Sequence, residues 1–349
     1  PRVWAAAARP HTRVSDSGAL WPQDKDQQAG GYGGAKRDAT RNHCIRAEGP
    51  PGQPRHPVGA EPHRAGGPHQ CKLVLSDLDS TLLWQGDRHI ATPFALEAIH
   101  ALQDAGVHFA PATGRIYRDL DVMFAGDSRA YSTAVTSNGQ LVYLDGELAD
   151  STPMAREGLE GVRHALADVP DAYLVVEYGG QKMAVDAPLD FVLAHPDNFW
   201  HVEQVLPEVP NEPCFKANVR VTSKDFSRAL EVRDALAARF ASMEFTCPMP
   251  GVGHLDLTPK GFGKEHGGDF LMERLGLSPD EVCCFGDAEN DLGLLSHYPN
   301  SVAVANAVPA VKEVARWHVG PANEESVAHA LLDIARAAGK GLMPSFMRP

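Results

Sequence analysis

Short apolar runs that alternate with helix-forming segments are the feature of this sequence that most constrains its fold. Residues 71–76 (CKLVLS) have the pattern of a buried strand, and the helix that follows should be capped by Thr92 and end at Gly106. Further strand-like runs, each near a predicted helix, lie at 107–112, 131–137, 281–286 and 301–305. Because such alternation is typical of parallel sheets, we predict an α/β core with helices on both faces of a parallel sheet.

A long segment in the middle of the chain breaks this alternation. Within residues 150–257, a helix at 154–168 is followed by two strands joined at Gly179-Gly180, and by further strands and a second helix at 224–240. Helix-then-hairpin order is typical of α+β structure. We therefore predict that an α+β domain at 150–257 interrupts a core built from 70–149 and 258–340, with 341–349 as a tail.

The first 69 residues differ in composition from the rest of the chain. They hold 19 Gly and Pro, only five Val, Ile, Leu, Met or Phe, and a net charge of +4. So little apolar surface cannot offset the conformational entropy lost on folding. We expect 1–69 to be a disordered Gly/Pro-rich tail that takes no part in the chemistry.

Charge and cysteine content exclude several classes of protein. The formal net charge of −13 argues against nucleic acid or an anionic membrane as a partner, and no apolar run reaches the ~18 residues of a membrane span. The six cysteines are scattered and do not form a disulfide framework. We expect reduced, buried thiols in a cytoplasmic protein whose partner is a small molecule; the oligomeric state stays open.

Two carboxylates stand where the first predicted strand ends. Asp77 and Asp79 are two positions apart, so in an extended segment they point the same way, at the edge where parallel sheets bind ligands. Two carboxylates held together repel each other unless a cation or a proton intervenes. The same tripeptide, Asp-Leu-Asp, recurs at 119–121, where a helix-like context predicts a solvated helix face.

Three more polar clusters lie at strand ends or helix starts. Thr113-Gly114 could bind a phosphate at a helix N-terminus, or Thr113 could simply cap that helix. Lys264 begins a predicted helix, where a cation is slightly unfavourable unless it meets an anion; a solvated surface lysine is the alternative. The acids of 286–291 (GDAEND) could be caps or Mg²⁺ ligands. Together the four clusters supply a nucleophilic carboxylate, a second carboxylate, a hydroxyl, an amine and metal-ligating acids. This set suits phosphoryl transfer through an aspartyl-phosphate.

These motifs resemble those of the haloacid dehalogenase superfamily. The resemblance rests on DLDST (77–81), ATGR (112–115), KGFGK (260–264) and GDAEND (286–291), and SNG (137–139), VANA (304–307) and VK (311–312) are similar to marks of its Cof-like phosphatases of subclass IIB. It implies a Rossmann-like core and an inserted α+β cap. Two residues depart from the pattern: Ser80 replaces a usual glycine, and Gly293 replaces a larger apolar residue.

The resemblance also implies roles for particular residues. Asp77 would be the nucleophile and Asp79 the general acid/base. Thr113, Gly114 and Lys264 would bind the phosphate, and Asn290 would contact the substrate. Mg²⁺ would be held by Asp77, Asp79 (through its carbonyl) and Asp287, with Asp291 beside the metal.

The function expected from these features is a Mg²⁺-dependent phosphatase that acts on a small phosphorylated metabolite, most simply a sugar phosphate. A phosphomutase of the phosphomannomutase type and a non-catalytic sugar-phosphate sensor remain alternatives. We expect surface or capping roles for His254 and His266. Tyr178, Trp200 and Lys216 could contact substrate or belong to the sheet.

Overall fold

The computed structural model describes residues 71–84, 89–178, 181–195, 202, 204–248, 251 and 253–348. Its strands are β1 (Leu73–Ser76), β2 (His108–Pro111), β3 (Ala134–Thr136), β4 (Leu141–Leu144), β5 (Glu147–Ser151), β6 (Ala172–Tyr178), β7 (Gln181–Val185), β8 (Val205–Leu206), β9 (Ala217–Val221), β10 (Met243–Thr246), β11 (His254–Pro259), β12 (Val282–Gly286), β13 (Asn300–Val304) and β14 (Trp317–Val319). Its α-helices are α1 (Pro93–Asp104), α2 (Tyr117–Met123), α3 (Arg156–Leu166), α4 (Leu189–Ala194), α5 (Phe226–Arg239), α6 (Lys264–Arg274), α7 (Leu292–His297), α8 (Pro309–Val314) and α9 (Ser326–Ala338). The predictions for residues 1–69 and for Trp200 fall outside the described residues.

The core is a parallel sheet with strand order β14-β13-β12-β1-β2. Helix α1 packs against α9, while α7 packs against both α6 and α8. The side chains of β1, β12 and β13 are completely or almost completely buried, as expected of central parallel strands. This arrangement confirms the predicted α/β core.

Helix α1 shows how local sequence sets the core elements. The Thr92 side chain accepts a hydrogen bond from the backbone N–H of Ala95, and Pro93 occupies the first turn, where its missing N–H costs nothing. Ile99 and Leu102 lie one turn apart on the buried face. Gly106 follows the helix at φ +80°, so both predicted ends are confirmed.

The turn between β3 and β4 brings two core segments unusually close. Residues 137–139 form a tight turn with positive φ throughout, 52° at Ser137, 55° at Asn138 and 96° at Gly139. A Cβ atom on Gly139 would lie 2.2 Å from the carbonyl oxygen of Gly263. Glycine is therefore required at 139 both for its backbone conformation and for this contact.

The middle segment builds a second, largely antiparallel sheet with strand order β10-β11-β9-β6-β7-β8. One face of this sheet packs apolar side chains against α3 and α5, and Leu174, Val219 and Leu255 belong to that cluster. Alternate positions point to the other face, which carries Asn218 and Asp256 as a directly paired couple. We call these elements the insert sheet.

Several elements were not predicted from the sequence. All five residues of β5 are exposed, so the strand lacks the apolar alternation that would reveal it. The short elements α4, β8 and β14 were also missed. Near the C-terminus, Met347 is buried against the core cluster, so part of the predicted tail 341–349 packs onto the core.

The cysteines that the structure describes are free, buried thiols: Cys71, Cys214, Cys247, Cys283 and Cys284. Burial raises the pKa of the Cys214 and Cys247 thiols to about 11. Among the described helices, none is long and apolar enough to cross a membrane.

Candidate active site

The candidate active site lies at the carboxyl edge of the core sheet, around a buried lysine. Asp77 directly follows β1, and Lys264 is the first residue of α6. The Lys264 ammonium donates to Asp77 Oδ1 at 2.6 Å and to Asp291 Oδ1 at 2.7 Å. Lys264 and Asp291 have no exposed surface. Lys264 is thus a buried cation between two carboxylates, and the surface-lysine alternative is wrong.

Three carboxylates of this region could share a metal ion. Each of Asp77, Asp287 and Asp291 can offer one oxygen, with all three oxygens within 4.8 Å of one another. Asp291 also caps its own loop, because its Oδ2 accepts hydrogen bonds from the backbone N–H groups of Asp287 (2.9 Å) and Ala288 (3.1 Å). The Thr81 hydroxyl donates to Asp287 Oδ1 at 3.0 Å and orients that carboxylate.

The electrostatics of this cluster show that it carries excess negative charge. Burial raises the pKa of Asp77 to about 7; Lys264 opposes the shift, and Asp291 and Asp79 add to it. Burial, with repulsion from Asp77 and Asp291, raises the pKa of Asp287 to about 9. Burial alone would lower the pKa of Lys264, but attraction to Asp291 and Asp77 outweighs it and raises that pKa. A single lysine therefore leaves room for a further cation.

Asp79 is held separately from the carboxylate cluster. Arg115 donates to both of its oxygens at 2.8 Å, and His89 Nδ1 lies 2.9 Å from Oδ1. Burial favours the neutral acid, but these partners outweigh it and hold the pKa of Asp79 well below its usual range. The departure at Ser80 has a structural correlate, since Ser80 has φ 63°, a conformation that favours glycine. Asn306 donates to the Ser80 carbonyl at 2.8 Å and supports this turn.

The Thr113-Gly114 segment sits against the same pocket. Thr113 is buried, and its hydroxyl accepts a hydrogen bond from the Arg115 N–H at 3.1 Å, which closes a local turn. Helix α2 begins only at Tyr117 and has no side-chain cap, so the capping role considered above is wrong. Gly114 lets other side chains approach closely, because a Cβ there would lie 3.0 Å from both Asn138 Oδ1 and Asp256 Oδ2. Both residues line the pocket that contains Asp77.

The insert sheet supplies one wall of this pocket. Its contributions are Lys182, Lys216, Pro248, His254 and Asp256, which share the pocket with Asp77, Asp79, Asp287 and Asn290 of the core. Lys216 Nζ donates to Asp256 Oδ1 at 2.8 Å, and both side chains are buried. The pocket is therefore enclosed by charged groups from two sheets.

Two sequence-based interpretations are corrected here. His254 is 4% exposed and lines the pocket, so the predicted surface or capping role is wrong. Asp119 also lines the pocket and lies 3.4 Å from Lys182 Nζ, so it is not simply part of a solvated helix face. Asp121 is exposed as predicted. His266 is confirmed in a capping role, since its Nδ1 accepts from the Gly263 N–H at 3.1 Å.

Sequence analysis missed Arg115, Lys182 and Asp256 as functional candidates. Arg115 directly follows Thr113-Gly114, the predicted phosphate-binding segment, and this position in the sequence could have marked it as a candidate. Asp256 stands in HLDLT, where an acid between apolar residues marks the polar face of a strand. Lys182 offered no comparable signal, because its approach to Asp119 depends on how the insert sheet meets the core.

The second departure, Gly293, also has a structural explanation. A Cβ on Gly293 would lie 2.4 Å from the Glu265 carboxylate. The Glu265 carboxylate thus occupies the space that a side chain at position 293 would need, and a larger apolar residue there would require Glu265 to move.

Comparison with known proteins identifies the family. Residues 74–331 match the family of haloacid dehalogenase-like hydrolases, and the chain belongs to that family. This confirms the resemblance drawn from the sequence.

Its relatives include named phosphatases. An HMP-PP phosphatase of Serratia proteamaculans is 27% identical over 263 residues, covering 74% of this chain and 94% of the relative. The 5-amino-6-(5-phospho-D-ribitylamino)uracil phosphatase of Escherichia coli is 24% identical, over 73% of this chain and 93% of the relative. Among solved structures, a Streptococcus mutans protein has a TM-score of 0.65 at 22% identity, covering 75% of this chain and 98% of that protein. A subclass IIB sugar phosphatase has a TM-score of 0.61 at 20% identity, covering 74% and 97%, and shares the fold.

Proposed function

We propose that this chain is a Mg²⁺-dependent phosphatase that releases phosphate from a small phosphorylated metabolite through an aspartyl-phosphate. The observation that carries the proposal is the Lys264 ammonium, which lies within 2.7 Å of Asp77 and Asp291 at the carboxyl edge of the sheet. A carboxylate that attacks an anionic phosphoryl group needs a fixed positive charge beside it to offset repulsion. Lys264 is placed to supply that charge.

The proposed reaction has two steps that use two carboxylates. In the first, an Asp77 oxygen forms a bond to phosphorus while the bond to the leaving oxygen breaks, and Asp79 gives its proton to that oxygen. In the second, Asp79 takes a proton from a water molecule that attacks phosphorus, so phosphate leaves and the Asp77 carboxylate returns. The closeness of Asp77 and Asp79 in one pocket supports this division of roles.

Arg115 bears on the first of these steps. Its two hydrogen bonds keep Asp79 ionised, which is the form required to activate water. Protonation of the leaving oxygen needs the neutral acid, so Arg115 has to release Asp79 when the phosphorylated substrate enters. A guanidinium pairs as well with phosphate oxygens as with a carboxylate, and the substrate supplies those oxygens.

The residues present fit a divalent metal ion. Three carboxylate oxygens lie within 4.8 Å of one another, and the raised pKa values of Asp77 and Asp287 show that the cluster needs more positive charge. We propose that Asp77, the Asp79 carbonyl and Asp287 hold Mg²⁺, with Asp291 beside it. Bound there, the ion would neutralise charge on the phosphoryl group.

Thr113, Gly114 and Asn290 complete the proposed phosphate and substrate contacts together with Lys264. All but Lys264 line the pocket, and Gly114 leaves space for a close approach. We further propose that residues 150–257 act as a cap that sets specificity, because Lys182, Lys216, His254 and Asp256 face the pocket from the insert sheet. Charged walls favour a polar metabolite such as a sugar phosphate, in line with the phosphorylated substrate in the name of the Escherichia coli relative.

The test is a phosphate-release screen over a panel of phosphorylated metabolites, with MgCl₂ or with EDTA. We expect turnover that requires the metal and that Asp77→Asn abolishes. Asp121→Asn is the matched control. It makes the same change at an exposed carboxylate in the second Asp-Leu-Asp tripeptide, at 119–121, and should keep full activity. Release that persists in Asp77→Asn would contradict the proposal. Isomerised product that appears only with a bisphosphate would instead show a mutase, and binding without turnover a sensor.

A further inference from the structure

A chain of hydrogen-bonded side chains joins the insert sheet to the loop after β12, which carries Asp287 and Asp291. Lys216 Nζ donates to Asp256 Oδ1 at 2.8 Å. Asn138 Nδ2 donates to Asp256 Oδ2 at 2.6 Å, and Asn290 Nδ2 donates to Asn138 Oδ1 at 3.2 Å. Asn290 is the last member of this chain and stands beside Asp291 in the loop after β12. We call the three members Asp256, Asn138 and Asn290 the amide relay.

The charge on Asp256 fixes the direction of every bond in the relay. Burial opposes ionisation, but the attraction of Lys216 outweighs it and holds the pKa of Asp256 below its usual value. An ionised carboxylate only accepts hydrogen bonds, so Asn138 must turn its Nδ2 towards Asp256. Its Oδ1 then faces Asn290, so Asn290 must donate a hydrogen bond from its own Nδ2. An amide flip at either asparagine would set two like groups against each other.

The surrounding backbone is built to hold Asn138 in this place. Its φ of 55° is one that asparagine tolerates better than most residues, and its backbone N–H donates to the Thr113 carbonyl at 3.0 Å. A Cβ on Gly114 would lie 3.0 Å from both Asn138 Oδ1 and Asp256 Oδ2, so only glycine admits this side-chain pair without displacing it. Asn138 and Asp256 are themselves buried.

We propose that Asp256 and Asn138 are positioning residues: the carboxylate of the insert sheet sets the orientation of the Asn138 amide, which in turn fixes Asn290 at the pocket. The inference rests on the proposed function, in which Asn290 contacts the substrate. It gives the SNG segment a role, and it makes the orientation of a core residue depend on a charge in the insert sheet.

The test moves the charge from one end of the relay to the other. In Asp256→Asn alone, Asn138 loses its ionic acceptor and Lys216 its counter-ion. In Asn290→Asp alone, a carboxylate faces Asn138 Oδ1. In the double variant the Asn138 amide can turn over, so that every hydrogen bond reverses its direction. The new amide at position 256 then donates to Asn138 Oδ1, and Asn138 Nδ2 donates to the new carboxylate at 290. The loss of the Lys216 counter-ion is common to Asp256→Asn and the double variant, so it cancels in the comparison and leaves the direction of the relay as the tested difference.

We expect each single change to lower kcat/KM, and the double variant to exceed the product of the single effects by about tenfold or more, as for residues in one hydrogen-bonded network. Direct effects of a carboxylate at 290 on the pocket occur in both the single and the double variant and therefore cancel in the cycle. Multiplicative behaviour of the two changes would overturn the proposal.

A second cycle measures urea unfolding in EDTA and needs no activity. The same pair should again be coupled, whereas Asp256→Asn combined with Asn300→Asp should be additive. Asn300 is a buried asparagine at the opposite end of the core sheet, bonded to the carbonyls of Asp280 and Val282. Absence of phosphate release in the wild type would sink the proposed function yet leave this cycle informative about the relay. Additive unfolding energies for the relay pair would overturn the relay itself.

Asn138→Gly covers the case in which the double variant does not fold. Glycine adopts the φ of 55° without strain, so the change removes only the amide. We expect Asn138→Gly to lower kcat/KM, and Asn290→Asp to cost about tenfold less in that background than in the wild type. An equal cost of Asn290→Asp in both backgrounds would contradict the positioning role.

Discussion

The crowded carboxylates of the candidate active site predict that the metal-free protein loses stability as the pH rises. The folded state keeps Asp77 protonated up to its pKa of about 7, whereas in the unfolded chain the pKa lies near its ordinary value of 3.8. Between those values the folded state binds more protons, so the free energy of unfolding falls as the pH rises. One pKa unit corresponds to about 1.4 kcal/mol, and Asp77 is half ionised at its pKa, so Asp77 alone accounts for about 2 kcal/mol between about pH 5 and 7.

Asp287 extends the same trend, because its pKa is raised to about 9. Mg²⁺ should reverse the trend, since it binds ionised carboxylates and has to displace protons at low pH. At about 1,000 times its dissociation constant a ligand adds about 4 kcal/mol to stability. We therefore expect Mg²⁺ to stabilise the protein strongly at about pH 8 and little at about pH 5.

Urea unfolding from about pH 5 to 8, with EDTA or with Mg²⁺, measures both effects. Asp77→Asn is the control: a neutral side chain removes the contribution of Asp77 and should make the EDTA profile less steep, while Asp287 keeps part of the slope. The reasoning would be refuted by an EDTA profile that rises over this range, or by one that Asp77→Asn leaves unchanged.

Two further substitutions test the packing and the metal site. Gly139→Ala places a Cβ 2.2 Å from the Gly263 carbonyl oxygen at φ 96°, while Gly146→Ala has φ 87° and nothing within 4 Å. The second change should cost only the left-handed strain of about 1–2 kcal/mol in urea unfolding, and the first about 1–3 kcal/mol more; equal costs would show that the close contact is not real. Thr81→Val removes the hydroxyl that orients Asp287 and should weaken Mg²⁺ binding, measured by calorimetry, about 10-fold or more; unchanged affinity would show that this hydrogen bond does not position a ligand of the proposed metal site.

The core was predictable because local periodicity determines it. The buried run of β1 and the cap and apolar face of α1 are legible over a few residues, and parallel strands bring their carboxyl ends to one edge. Asp77, Lys264 and Asp291 meet there although 187 positions separate the first two in the chain. Their meeting followed from topology, and no information on side-chain packing was needed.

The contacts between the insert sheet and the core could not be predicted in this way. Asp256 reaches Asn138 across 118 positions, and that contact depends on the register of β11 with β9 and on the close approach at Gly114. Periodicity places Asp256 on a polar face of its strand, but it does not say what that face meets. His254 was misjudged for the same reason, since its burial arises from the pocket that the two sheets form.

The central claim is that Asp77 carries the phosphoryl group during turnover. The most direct measurement is acid quenching of the enzyme during steady-state hydrolysis, followed by borohydride reduction and peptide mass spectrometry, because reduction converts an aspartyl-phosphate to homoserine. The account predicts homoserine at position 77, dependent on substrate and absent when Mg²⁺ is removed, with Asp79 unmodified. Continued turnover with an intact Asp77, or phosphate found on another residue, would contradict it.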